Sequence, residues 1–158
     1  MSRRFLSLWL PYFATDRLRY GPEPLVTLME QAGVPRIVAT NKAAAALGIA
    51  GGMALADARA LHPDLQTRPA NPLREVRGLT RLADWCERYT PLLALDGANG
   101  LMLDITGCDH LFGGESAMAA DALKRLQHFG FSARAAIAGT PGAAWALARY
   151  GKADPGTA

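Results

Sequence analysis

The sequence has little cysteine: only Cys86 and Cys108 in 158 residues, with no CxxC pair. That argues against a disulfide framework or a cysteine-based zinc site, and both are read as reduced thiols. The three histidines, His62, His110 and His128, are scattered without ligand spacing, so no zinc site is expected. Long apolar runs are missing too, and none approaches the roughly 20 residues that cross a bilayer. Ser2-Arg3-Arg4 is followed by only about seven apolar-leaning residues before Pro11, too few for a signal peptide. The expectation is a cytoplasmic protein with no membrane partner.

Half the residues are hydrophobic and a fifth are charged, which suits one soluble globular domain, with or without a small insertion. The net charge of +3 is unevenly spread. Residues 1–79 hold ten Lys/Arg against six Asp/Glu, and residues 80–158 hold seven against eight. A mildly basic first half suits a phosphate backbone or simply water.

The chain is best read outward from PLLALDGANGLMLDIT, residues 91–106. Two strand-like runs, 92–95 and 101–105, flank Gly97-Ala98-Asn99-Gly100, whose residues tolerate positive φ and signal a hairpin. Asp96 and Asp104 interrupt these apolar runs, and a buried acid is costly unless something pairs it. Asp96 is read either as a metal ligand or as a turn-flanking acid that accepts backbone N–H bonds. Asp104 is read as structural, holding the loop 107–114.

Before the hairpin, residues 3–10 read as a core strand and 12–20 as a short helix. Strands are expected at 25–29 and 36–40, joined by a connector at 30–35. Asn41 caps a short helix at 42–47, and a second helix spans 53–61. Residues 64–71 read as a polar connector. The longest helix is expected over 72–90, with Pro72 in its first turn and Val76, Leu79, Leu82, Ala83, Cys86 and Tyr89 forming the buried stripe. Arg74, Arg77, Arg81 and Arg88 fall on other faces, where Asp84 or Glu87 can partner some of them.

After the hairpin come the loop 107–114, a helix at 115–129, a strand at 133–138 and a final helix from Pro141 to Tyr150 capped by Thr140. With residues 22–70 set aside, the order is the βαββαβ of a ferredoxin-like sheet with helices on one face, an α+β fold. The expected organisation is a palm from 1–21 and 71–150, an insertion at 22–70 and a flexible end at 151–158.

A βαββαβ palm with a small helical fingers insertion after its first strand resembles the Y-family (UmuC/DinB-like) translesion DNA polymerases. Tyr12-Phe13-Ala14 is similar to the family's aromatic-aromatic-Ala motif, which would make Phe13 the sugar steric gate; core packing is the plainer reading. Residues 48–53 resemble the fingers segment G-V-x-x-G-M, and His62-Pro63-Asp64-Leu65 the segment that follows it. Leu95-Asp96-Gly97 and Leu103-Asp104-Ile105-Thr106 resemble the S-x-D-E and L-D-x-T strands of the palm.

The departures bear on function. The family binds two Mg²⁺ ions through three acids, because hard cations at that spacing need oxygen ligands and charge neutralisation. Aligned on Tyr12-Phe13-Ala14, the first-strand acid falls on Leu8 and the hairpin pair on Asp96 and Gly97. Only Asp96 keeps a carboxylate. The nucleotide-gripping Tyr and Arg fall on about Lys42 and Ala45, and the triphosphate lysine on about Trp145. Lys42 is a phosphate contact or, more plainly, a solvated lysine.

The resemblance therefore points to a catalytically degenerate branch found in bacterial mutagenesis cassettes. It implies a non-catalytic adaptor in DNA damage-induced mutagenesis that needs no cofactor. The implied partners are the sliding clamp, an error-prone C-family polymerase, a RecA-like cassette protein and damaged DNA. The family's thumb, little-finger and C-terminal regions would lie beyond this chain, which reads as a truncated fragment.

One alternative is an active polymerase whose Mg²⁺ site is rebuilt from Asp96, Asp104 and Asp109 or Glu115. Another is a binding module without polymerase ancestry, which predicts a different sheet order. Cys108-Asp109-His110 as a cysteine nucleophile is set aside, because such groups meet in space rather than in sequence.

Overall fold

The computed structural model describes residues 1–152. The chain divides into two compact units, one built from Met1–Pro11 with the chain from Val76 onward, the other from Tyr12–Glu75.

The first unit is organised on β1 (Phe5–Trp9), whose five residues are nearly all buried. It pairs antiparallel with β6 (Gly100–Asp104) on one side and β7 (Arg134–Ala138) on the other, and β5 (Leu93–Leu95) adds to β6. The order β5-β6-β1-β7 is the ferredoxin-like one. Three helices belong to this unit in whole or large part: α4 (Pro72–Cys86), α5 (Glu115–His128) and α6 (Pro141–Tyr150). The core centres on Leu6, Leu8, Leu101 and Leu103 from the sheet, with Leu79 and Leu126 from helices, all buried to within 1%. Thr140 Oγ1 accepts from Ala143 N at 3.2 Å and Pro141 opens α6, so this helix starts where its cap residue directs.

The second unit contains α1 (Phe13–Asp16), β2 (Leu25–Gln31), β3 (Val34–Thr40), α2 (Lys42–Ala46), α3 (Leu55–Leu61) and β4 (Gln66–Pro69). Its three strands run in the order β3-β2-β4 over a core of Val26, Ile37, Ile49 and Leu65. Asn41 does more than cap α2. Its Oδ1 accepts from Ala44 N at 2.9 Å and from Leu25 N at 3.1 Å, while Nδ2 donates to the Glu23 carbonyl at 2.6 Å. One buried amide thereby ties the start of α2 to the start of β2.

Several elements differ from the sequence reading. The connector at 30–35 is mostly strand: only Ala32 and Gly33, at φ of +50° and +78°, make the turn. Pro35 is tolerated because β3 is an edge strand. Residues 66–69, expected as loop, form β4 through parallel pairing with β2. The helix expected over 12–20 stops at Asp16, and the one expected from Met53 begins at Leu55, because Ala54 bridges Arg36 in extended conformation. The long helix ends at Cys86, after which Glu87–Tyr89 turn. Val76 was placed in its buried stripe but is 55% exposed. The loop 107–114 contains a 3₁₀ turn, Asp109–Phe112. Of the end expected to be flexible, residues 153–158 lie outside the described residues.

Asp104 ends β6. Its Oδ1 accepts from the Thr106 hydroxyl at 2.6 Å and the Thr106 N–H at 3.1 Å, and Oδ2 takes Arg3 at 2.7 Å. The Thr106 hydroxyl, then Arg3, hold its pKa down to about 2. Arg4 grips Glu115 with two bonds of 2.6 and 2.7 Å, anchoring the first turn of α5 to the start of β1. At the other end of β6, a Cβ on Gly100 would stand 2.7 Å from the Asp96 carbonyl oxygen.

Two stability predictions follow from these contacts. Gly100→Ala forces the turn backbone apart and is expected to lower the unfolding free energy by about 2–4 kcal/mol in urea titration. Folding depresses the Asp104 pKa, so its contribution is complete above the ordinary value of 3.8 and fades as pH falls toward about 2. The stability deficit of Asp104→Asn is accordingly expected to shrink as pH drops through that window, measured by denaturation of both proteins at each pH.

Candidate functional site

Asp96 and Gly97, singled out from the sequence resemblance, fall in the turn between β5 and β6, whose backbone is held by main-chain bonds. Asp96 N donates to the Gly100 carbonyl at 2.9 Å, Leu10 N donates to the Asn99 carbonyl at 2.8 Å, and Gly97 takes φ of +67°. These bonds hold the turn against the last residues of β1, with Trp9 in register opposite Gly100.

The partner of Asp96 is a cation of the chain itself. Arg149, from the last turn of α6, places one guanidinium nitrogen 3.4 Å from Asp96 Oδ2. The same guanidinium carbon lies 4.4 Å from the centre of the Trp145 ring and 5.5 Å from that of Trp9. Only a tenth of the Arg149 side chain and a quarter of the Asp96 side chain reach solvent. A planar cation over two indoles and beside a carboxylate is held by cation–π attraction as well as by Coulomb attraction in a partly dry setting. The absence of a side chain on Gly100 permits this, since a Cβ there would meet the Arg149 guanidinium at 3.2 Å.

The other positions singled out from sequence are dispersed. Leu8 is fully buried, in register with Leu101 and Ala135. Asp104 sits four residues along β6 from Gly100, about 13 Å at strand spacing, and is engaged by Arg3 and Thr106. Glu115 is held by Arg4, and Asp109 opens the 3₁₀ turn. Phe13 is 2% exposed in α1, and Lys42 is exposed at the first position of α2, both in the second unit. The Cys86 thiol is fully buried and pushed up to about 12 by burial, a packing group and not a nucleophile.

The two-magnesium chemistry that this fold family implies does not fit the residues present. Leu8 and Gly97 offer no side-chain oxygen, and Asp96 already neutralises Arg149. Among the described residues no three His, Cys, Asp or Glu side chains are grouped to hold a metal ion.

Sequence reasoning expected turn N–H groups around the Asp96 carboxylate and overlooked Arg149. The signal was partly visible: Trp145 and Arg149 are four residues apart, neighbours on one helix face. That Trp9 and Asp96 complete the arrangement depends on pairings that span most of the chain.

Comparison with known proteins agrees with this architecture. The impB/mucB/samB family matches residues 14–149. Protein ImuB of Caulobacter vibrioides, in strains NA1000/CB15N and ATCC 19089/CB 15, is 54% identical over 105 residues, 66% of this chain. The match covers 23% of those relatives' length. In an insertion ternary complex of Dbh DNA polymerase, the fold superposes with a TM-score of 0.82 at 16% identity, over 94% of this chain and 46% of that one. DinB from Sulfolobus solfataricus gives 0.73 at 16% identity, over 85% and 42%. At such identities these two show the fold alone, and no helix of the described chain is long and apolar enough to cross a membrane. The chain belongs to the impB/mucB/samB family and has the α+β palm-and-fingers fold of Y-family DNA polymerases.

Proposed function

We propose that the chain is a non-catalytic, polymerase-like adaptor in DNA damage-induced mutagenesis and translesion synthesis. The observation that carries the reading is the replacement of a metal cluster by an internal ion pair. Where the fold's acids would stand, there are Leu8, Gly97 and an Asp96 paired with Arg149. Phosphoryl transfer depends on cations that bridge nucleotide phosphates and neutralise developing charge. A guanidinium fixed to a carboxylate and two indole rings has no open coordination positions with which to replace them.

The likeness to ImuB supports placing the chain in damage tolerance. As an adaptor it would link the sliding clamp, an error-prone C-family polymerase and a RecA-like cassette protein at damaged DNA, in a cytoplasmic setting. The whole protein's contacts with these partners belong to the same proposal, since the matched relatives are several times longer than this chain.

Two measurements test the reading. Primer extension with Mg²⁺ or Mn²⁺ on a primed template is expected to give no product above background. Templated extension that Asp96→Ala abolishes overturns it. Leu8→Asp, which restores the acid nominally missing from β1, is expected to cost about 3 kcal/mol or more in chemical denaturation and to produce no extension, because the carboxylate enters a fully buried apolar site without a partner.

A further inference from the structure

Each of the two sheets ends in two edge strands, and three of these four edges carry features that discourage pairing with another chain. β3 has Pro35, Arg36 and a break in register opposite Thr27 and Leu28. β4 has Arg68 and Pro69, and β7 has Arg134. The fourth edge, β5, reads Leu93-Ala94-Leu95, with no charge, no proline and no glycine.

The direction of the free backbone groups of β5 follows from its bonds to β6. Asp104 N donates to the Leu92 carbonyl, Asp96 N donates to the Gly100 carbonyl, and Ala94 stands opposite Met102, so residues 92, 94 and 96 turn their polar groups inward. The N–H and C=O groups of Leu93 and Leu95 therefore point away from the sheet, and no hydrogen bond to them is found among the described residues. Pro91, which has no N–H, and the turn at Gly97 close this open stretch on either side. The side chains are equally unfinished. Leu93 and Leu95 stand in register with Leu103 and Leu101, the buried row that continues through Leu6 and Leu8 of β1. That row runs out of the core to this edge and stops with Leu95 42% exposed, while Leu92 on the opposite face is 65% exposed.

We propose that β5 is a self-association edge, which pairs antiparallel with β5 of a second copy of this chain about a twofold axis at Ala94. In that register Leu93 meets Leu95 of the other copy and Leu95 meets its Leu93, so the outward N–H and C=O groups of both strands are all used. Ala94 faces its own equivalent at the non-hydrogen-bonded position, where Cα atoms approach to about 4.5 Å and a small side chain fits. A second copy is the occupant that this edge suits because the segment matches itself. It is uncharged, so a twofold axis brings no like charges together, whereas Arg36, Arg68 or Arg134 would carry a charge into the same pairing at the other edges. Two three-residue strands bury less than the standard interface of about 1,600 Å², which places the dimer in the weak, transient class, with Kd on the order of 10–100 μM. The inference concerns assembly and stands whether or not the hairpin site is inert.

The test is sedimentation velocity of the full chain from about 5 to about 500 μM, over which the weight-average mass is expected to climb from monomer toward dimer. Leu95→Lys sets a charge against the facing leucine, and Leu95→Pro removes an outward donor without touching a bond to β6. Each is expected to weaken the dimer at least about tenfold. Leu61→Lys, at a 55% exposed leucine of α3, is expected to leave the mass profile unchanged. Register is read by oxidation in a Cys108→Ser background. Ala94→Cys places two thiols at a Cα separation that a disulfide spans, and Ala98→Cys in the turn does not, so the first is expected to cross-link at least about tenfold faster. Circular-dichroism melts show that each variant is folded. A monomer throughout the range, which leaves the edge to an extended segment of another protein, overturns the proposal. So does a dimer that Leu95→Lys and Leu95→Pro leave intact, or equal cross-linking by Ala94→Cys and Ala98→Cys.

Discussion

Five residues, Phe5–Trp9, are paired along both edges, and everything that distinguishes the palm unit is registered on them. An antiparallel ladder on each side leaves β1 no freedom to slip, because a one-residue shift would turn Leu6 and Leu8 out of the core. From this fixed strand three constraints radiate. Arg4 holds the first turn of α5, Arg3 holds the end of β6, and the main chain at Leu10 holds the hairpin turn. Trp9 is thereby placed where its indole can meet a cation delivered by the last helix.

That cation changes what the hairpin end can accommodate. A divalent ion needs several oxygens in a shell around it, whereas a guanidinium is satisfied by one carboxylate edge and flat aromatic faces. The chain supplies the second set: Asp96, Trp9 and Trp145 around Arg149, with Gly100 leaving room. The other acids weighed from the sequence lie away from this turn and are engaged elsewhere in the unit. Asp104 closes a strand through Thr106, and Glu115 clamps a helix to the sheet. Each is stabilised as an anion by its own neighbours, Asp104 by Thr106 and Arg3 and Glu115 by Arg4, which hold both carboxyls below their ordinary pKa.

Elements governed by local chemistry were legible in the sequence. The caps at Asn41 and Thr140, the proline openings of α4 and α6, and the Gly-rich hairpin turn depend on residues within a few positions of each other. The βαββαβ order followed from them. What escaped were features settled by distant partners. Gln66-Thr67-Arg68-Pro69 has no strand pattern and becomes one because β2 offers it a parallel ladder. Val76 fits the helical period of a buried residue, yet more than half of it stays in water. At the hairpin, the isolated acid at Asp96 was readable and its partner was not, since Arg149 lies 53 positions away and only the completed sheet brings α6 across β1.

The pairing of β1 also dictates an order of events during synthesis. Its hydrogen-bonding partners begin at Gly100 and Arg134, so β1, once synthesised, must wait for more than a hundred further residues of chain before its sheet can close. The unit from Tyr12 to Glu75 finds all its strand partners between Leu25 and Pro69 and can collapse long before. During that interval Phe5, Leu6 and Leu8 form an unpaired apolar segment, so the strand that organises the palm unit is protected only after its distant partners have been made.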